Sequence, residues 1–281
     1  PRKRCSFDGR GWQMRDKFYG PTDVQAMTRR AMTLFRLVED DPRFAWYGRF
    51  VALADYNTGG LQTFLDLIRL QGASPSYWLP NAAADEAKTA LLNEGYRADR
   101  FEYVVTEGDS IERAREVLSA HVIGDDVLVS RLGRDSPDDD LDGFAEVAGS
   151  GGVLPPPEAV LRGAARKGGF LLARERASGR AMSCAASIET FHARSSRSDH
   201  AFWGMLSTMP AWRGRKIALI LGAQAMVLFE RDFGVSKFTT GVRAENSGSM
   251  ALCAKLDMRD GKWCSYYGMN PAQFSNARVT K

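Results

Sequence analysis

Apolar positions recur with period two over short runs and with a helical period between them, so the chain reads as strands and helices taking turns. In the second half the pattern predicts a strand at 126–132, helices at 137–147 and 157–167, and a strand at 169–176. A turn at 177–180 then leads into strands at 182–192 and 201–209, a helix at 214–233, a strand at 237–243, a helix at 247–256 and a last strand at 262–268. The acidic run 135–142 suits a helix start, where carboxylates meet the positive end of the dipole. The Gly/Pro-rich segment 149–157 reads as a loop between two helices.

The first half carries a fainter version of the same order: strand 50–56, helix 61–70, strand 76–79, helix 84–93 closed by Gly95, and strand 100–105. Strand–helix–strand–helix–strand also describes 201–268. The helix endings Leu91-Leu-Asn-Glu-Gly-Tyr96 and Ala254-Lys-Leu-Asp-Met258 run in parallel. Two readings stand side by side, an internal duplication and two unrelated α/β pieces.

At 281 residues, with 44% hydrophobic and 26% charged positions, the chain can bury a core without staples, and disorder over most of its length is excluded. No run approaches the roughly 20 apolar residues of a membrane helix, and residues 1–10 are basic and polar rather than patterned as a signal peptide. Cys5, Cys184, Cys253 and Cys264 form no C-x-x-C pair, against a zinc knuckle and a disulfide framework. These readings predict a cytoplasmic protein with no membrane partner and no metal. The net charge of +4 falls short of a nucleic-acid-binding signature. Part of the excess is local: residues 1–30 hold eight Lys/Arg against three Asp/Glu and read as a solvated basic arm.

The informative stretch is Leu206-Ser-Thr-Met-Pro-Ala-Trp-Arg-Gly-Arg-Lys-Ile-Ala-Leu219. A strand stops at Pro210, which cannot continue a central ladder, and a basic, Gly-containing turn opens a helix with Ile217, Leu221, Ala225 and Leu228 on one side. The first turn of a helix leaves N–H groups unpaired, so a phosphate fits over 214–218, with Arg213 and Arg215 adding charge. A solvated helix cap is the alternative reading of the same residues.

Pro210-x-x-Arg213-Gly-x-x-Ile217-Ala218, a helix, a strand ending at Glu245-Asn246 and a helix ending Lys255-Leu256-Asp257-Met258 together resemble the GNAT N-acetyltransferase superfamily over roughly 124–270. The family's Arg/Gln-x-x-Gly-x-Gly/Ala motif falls on Arg213 to Ala218, with Lys216 where the motif's first part leads one to look for glycine. The resemblance implies an α/β GNAT fold, a mixed, mostly antiparallel central sheet with flanking helices, arranged as two tandem GNAT-like domains. The divisions expected are a basic tail at 1–20, a degenerate GNAT-like domain at 21–120, an acetyltransferase domain at 124–270 and a tail at 271–281.

It also implies acetyl-CoA as co-substrate. Leu206, Ser207 and Thr208 would line the pantetheine arm, Gly214, Arg215, Lys216, Ile217, Ala218 and Leu219 would cap the pyrophosphate beside Arg213, and Asn246 would contact CoA or cap the next helix. The implied reaction is direct transfer of an acetyl or short acyl group to the amine of a small molecule or peptide, with a homodimer left open. Cys253 stands where the family has a proton-donating Tyr, and packing is its competing role; Tyr266 and Tyr267 are replacement candidates. Glu189 is the first choice of base, with His192 and His200 also flanking the expected cleft and Gly241 at the family's acidic place. The first half, where Asn57-Thr-Gly-Gly60 is uncharged, is expected to complete the sheet or wall the acceptor cleft. The competing functions are a CoA-binding regulator without turnover and nucleic-acid binding through residues 1–30.

Overall fold

The computed structural model describes residues 16–106 and 108–273. Cys5 and most of the two expected tails lie outside them. The first half comprises α1 (Thr22–Val38), β1 (Phe44–Ala45), β2 (Ala52–Leu53), α2 (Tyr56–Gln71), β3 (Ala73–Pro80), α3 (Ala84–Asn93), β4 (Arg97–Thr106) and α4 (Ser110–Ala120). The second comprises β5 (Val127–Leu132), α5 (Asp138–Ser150), α6 (Glu158–Leu161), β6 (Gly168–Glu175), β7 (Ala181–Glu189), β8 (His200–Thr208), α7 (Ile217–Phe233), β9 (Lys237–Val242), α8 (Ser247–Lys255), β10 (Met258–Arg259) and β11 (Trp263–Met269).

These strands form one mixed sheet in the order β1-β2-β3-β11-β4-β9-β8-β7-β6-β5, with β10 also on β4. Only β2/β3 and β8/β9 are parallel, and parallel neighbours need a crossover, here α2 and α7 respectively. The two halves exchange their last strands: β4 lies against β9, while β11 lies between β3 and β4. About the central β11/β4 pair the order β2-β3-β11 therefore mirrors β8-β9-β4.

One hydrophobic cluster draws on both halves, with Trp46 and Tyr77 from the first and Phe144 and Phe170 from the second. Burial of each such side chain contributes about 1.5–3 kcal/mol. The halves also join through backbone: Ala45 bridges Phe191, and the Trp46 N–H donates to the Thr190 carbonyl at 3.0 Å. That seam carries residues 47–49 to the open end of β8.

Several expected elements change. The basic arm gives way to α1 from residue 22, whose Val24, Met27, Thr28, Ala31, Met32 and Phe35 are buried at helical spacing while Arg29, Arg30 and Arg36 stay outside. The strand expected at 50–56 shrinks to Ala52–Leu53 because the Gln71 amide takes both backbone groups of Val51. The helix expected at 157–167 ends at Leu161, before Gly163 at φ +72°. α4 has no counterpart among the expected elements, although Ile111, Ala114 and Val117 form its buried stripe against Leu219, Ala223 and Met226 of α7.

The two parallel junctions differ in what fills them. At β2/β3, buried Leu53 presses so closely on α2 that a Cβ on Gly59 would stand 2.3 Å from its side chain. At β8/β9 the space is open.

Candidate functional site

β8 and β9 pair at His200↔Lys237, Ala201↔Phe238 and Phe202↔Thr239 and then part, although both strands continue. β8 stays attached to β7 on its other side, through Cys184↔Ser207 and Ser183↔Thr208. Its edge toward β9 thus offers backbone groups that no strand takes. Between Gly204 and Ser207 the register slips by one residue, a bulge, with Met205 at φ +55°. A bulge takes one residue's backbone out of the ladder and re-aims it. Cys184 Sγ donates to the Met205 carbonyl at 3.0 Å and so pins the distortion.

The gap opens into a cavity of about 600 Å³. Among the residues expected from sequence, it brings together Leu206, Ser207, Thr208, Arg213, Ala218, Asn246 and Cys253. Gly214, Arg215, Lys216, Ile217 and Leu219 do not line it. Ile217 and Leu219 turn their side chains into the core.

The helix expected from residue 214 begins at Ile217. Before it, Gly214 at φ +81° and Lys216 at φ +61° both take the left-handed conformation, and no side chain caps the helix. The first backbone bond runs from the Ile220 N–H to the Lys216 carbonyl, so the amides of Ile217, Ala218 and Leu219 precede the helical ladder. Arg213 Nε donates to the Thr208 carbonyl at 3.1 Å, beside the cavity. Arg215 turns the other way and pairs with Asp126 at 2.7 Å, holding that carboxyl below the usual carboxylate range. Asn246 accepts from the Ser249 N–H at 3.1 Å, which makes it the cap of α8 as well as a lining residue.

Cys253 is buried, and desolvation pushes its thiol up to about 12. It packs among Val104, Leu256 and Met258 on the cavity's inner side. Glu189 and Tyr266 are placed elsewhere. Glu189, at the end of β7, pairs with Lys167 at 2.9 Å and Arg166 at 3.8 Å. Neighbours on a strand face opposite ways. Tyr267 lines the cavity, and Tyr266, whose ladder partner on β4 is Arg100, points to the other face. His192 and His200 lie off the lining; burial lowers the His200 pKa, against Asp199 at 2.7 Å.

The first half adds Tyr47, Arg49 and Phe101 to the lining, and the second adds Arg243, which the sequence did not single out, and Tyr267, one of the two tyrosine candidates. Tyr47 stacks on Phe202, with 4.3 Å between centroids and 6° between planes. Its hydroxyl is 3.5 Å from that of Tyr267, whose pKa burial raises well above the usual phenol value. Buried Arg243 forms a two-pronged ion pair with Asp99. The described lining includes three arginines and no Asp, Glu or His. No group of three or more metal-ligating side chains is found among the described residues, and none of their helices is long and apolar enough to cross a membrane.

No family model matches the chain, and no curated protein matches it. Solved structures do. A GCN5-related N-acetyltransferase from Kribbella flavida superposes with a TM-score of 0.51 at 13% identity, covering 86% of this chain and 95% of its own. A Drosophila protein superposes at 0.52 with 12% identity, covering 89% of each chain. The chain has the GNAT fold. The mixed, mostly antiparallel sheet with flanking helices expected from the motif is the sheet observed. Within this GNAT fold, the parted parallel pair β8/β9 and Ala218 in the first turn of α7 adjoin one cavity.

Proposed function

We propose that the chain transfers an acetyl or short acyl group from acyl-CoA to an amine, by direct attack with both substrates bound. The observation that carries this reading is the open edge of β8 leading, through Arg213, to the uncapped start of α7. Pantetheine amides complement the unpaired edge at Leu206, Ser207 and Thr208 as an added strand would. The amides of Ile217, Ala218 and Leu219, with Arg213 beside them, suit a diphosphate: they are donors at the positive end of a helix dipole. When bound, acyl-CoA supplies the activated thioester. The half 124–270 holds it, and 21–120 walls the acceptor end with Tyr47, Arg49 and Phe101.

The remaining steps fall to this chain's own groups. A backbone N–H of the Met205 bulge donates to the oxyanion that develops at the thioester carbonyl. Tyr267, whose phenol proton burial retains, and Tyr47 beside it orient the acceptor by hydrogen bonds. Among the described residues the cavity lining offers no carboxylate or imidazole to take the acceptor's proton, so the amine attacks in its neutral form, the C–S bond breaks to release CoA as its thiolate, and the proton shed by the nitrogen passes through water to that thiolate. The three described cysteines are free and buried, which fits a reducing cytoplasm.

That same lining, with Cys253 in the family's Tyr position, favours a second reading: a CoA-binding regulator without turnover. Isothermal titration with acetyl-CoA, paired with thiol release over an amine panel, separates the two. Binding with release supports transfer; binding without release under every acceptor supports the regulator; no binding refutes both.

A further inference from the structure

Arg49 enters the cavity from the loop between β1 and β2. It is 94% buried, at 6% relative exposure. Its Nη2 donates to the Met205 sulfur at 3.0 Å, its guanidinium lies 5.4 Å from the Tyr47 ring centroid, and its Nε has no partner. No carboxylate pairs with it among the described residues, whereas the other buried arginine, Arg243, has Asp99. A thioether is a weak acceptor, and a buried cation without a counter-charge is costly to maintain. A guanidinium presents a planar fork that matches the two oxygens of a carboxylate. Arg49 is therefore a binding group whose partner arrives with a ligand.

Position decides which part of the ligand that is. Under the acyl-CoA reading, on which this inference rests, the phosphates lie at the start of α7. Met205, which Arg49 touches, stands at the thioester end, about 10 Å of strand before Thr208 at roughly 3.3 Å per residue. The Tyr47 ring packs against the Arg49 guanidinium, and the hydroxyls of Tyr47 and Tyr267, 3.5 Å apart, belong to residues that line the same cavity.

We infer that Arg49 holds a carboxylate carried by the reacting partners themselves, either on the acceptor amine or at the far end of a dicarboxylic acyl group. The specificity of the cleft in the second half is thus set by a residue of the first.

Binding to wild type, Arg49→Met and Arg49→Lys is measured with two matched sets of probes. One compares succinyl-CoA and malonyl-CoA with acetyl-CoA. The other compares free L-amino acids with their carboxamides, read by thermal shift with and without CoA. Wild type should prefer the carboxylate member of at least one set tenfold or more, Arg49→Met should erase that preference, and Arg49→Lys should keep part of it and serve as the control for folding. The set that responds identifies the source as acyl group or acceptor. Equal ratios in wild type and Arg49→Met for both sets overturn the inference. Gly214→Glu is titrated with acetyl-CoA in parallel: if neither it nor wild type binds, the acyl-CoA reading has failed, and the amino-acid set without CoA still judges Arg49.

Discussion

Phe202 and Thr239 form the last rung between β8 and β9; beyond them β8 bends at Met205 while β9 runs on to Gly241 and Val242. The aromatic ring of Phe202 is held there by Tyr47, from the other half of the chain. The open edge and the cavity both begin at that rung.

Gly214→Glu is expected to weaken acetyl-CoA binding at least tenfold by setting a carboxylate beside the amides of Ile217–Leu219. A Cβ at this position meets nothing within 4 Å, but φ is +81°, so any L-residue strains the backbone by about 1–2 kcal/mol. Gly214→Ala carries the same strain without the charge. Titration calorimetry should therefore separate the two variants; equal affinities would show that no phosphate lies here.

Lys216 occupies φ +61° at the cap of α7. Lys216→Gly removes the clash of Cβ in the left-handed region, at some entropic loss in the unfolded chain, and should stabilise the fold by about 0.5–1 kcal/mol. The measurement is the denaturant midpoint at constant m-value. A fall in stability would mean that the lysine side chain contributes more than its backbone costs.

Cys253→Ala is expected to alter turnover less than threefold, because a thiol pushed up to about 12 is a poor proton donor to a CoA thiolate. It should lower stability by about 1 kcal/mol as a buried large-to-small change. Thiol-release kinetics decide between roles: a loss of several orders in kcat at unchanged stability would assign it the leaving-group proton.

The pH profile follows from the lining. Burial raises both Cys253 and Tyr267, so each stays protonated through the neutral range, and neither adds an inflection there. The nucleophile is the neutral amine, so log kcat/KM should climb with unit slope from pH 6 toward the acceptor's own pKa, about 10.4 for an alkylamine. A break between pH 5 and 8 that persists across acceptors of different pKa would reveal a protein base.

Much of the second half was legible because its strands are bounded by strong punctuation: the acidic run before α5, the Ser178-Gly179 turn, and Pro210 closing β8. The basic turn before α7 was visible for the same reason, as Arg and Gly next to a helix that starts without a cap. What stayed hidden depends on long-range pairing. Tyr47 and Arg49 sit in an irregular loop whose place is set by the bridge between Ala45 and Phe191, 146 positions apart in sequence. Which of Tyr266 and Tyr267 lines the cleft depends on which face of β11 meets it, and the exchange of β4 and β11 decides that. In α1, three exposed arginines masked a regular apolar stripe.

A crystal structure of the CoA complex tests the central claim most directly. The account places diphosphate oxygens about 2.7–3.2 Å from the amide nitrogens of Ile217, Ala218 and Leu219, with the pantetheine arm along Leu206–Thr208 and the sulfur near Met205. Nucleotide bound away from α7, with those amides engaged by protein atoms and β8 closed onto β9, would contradict it.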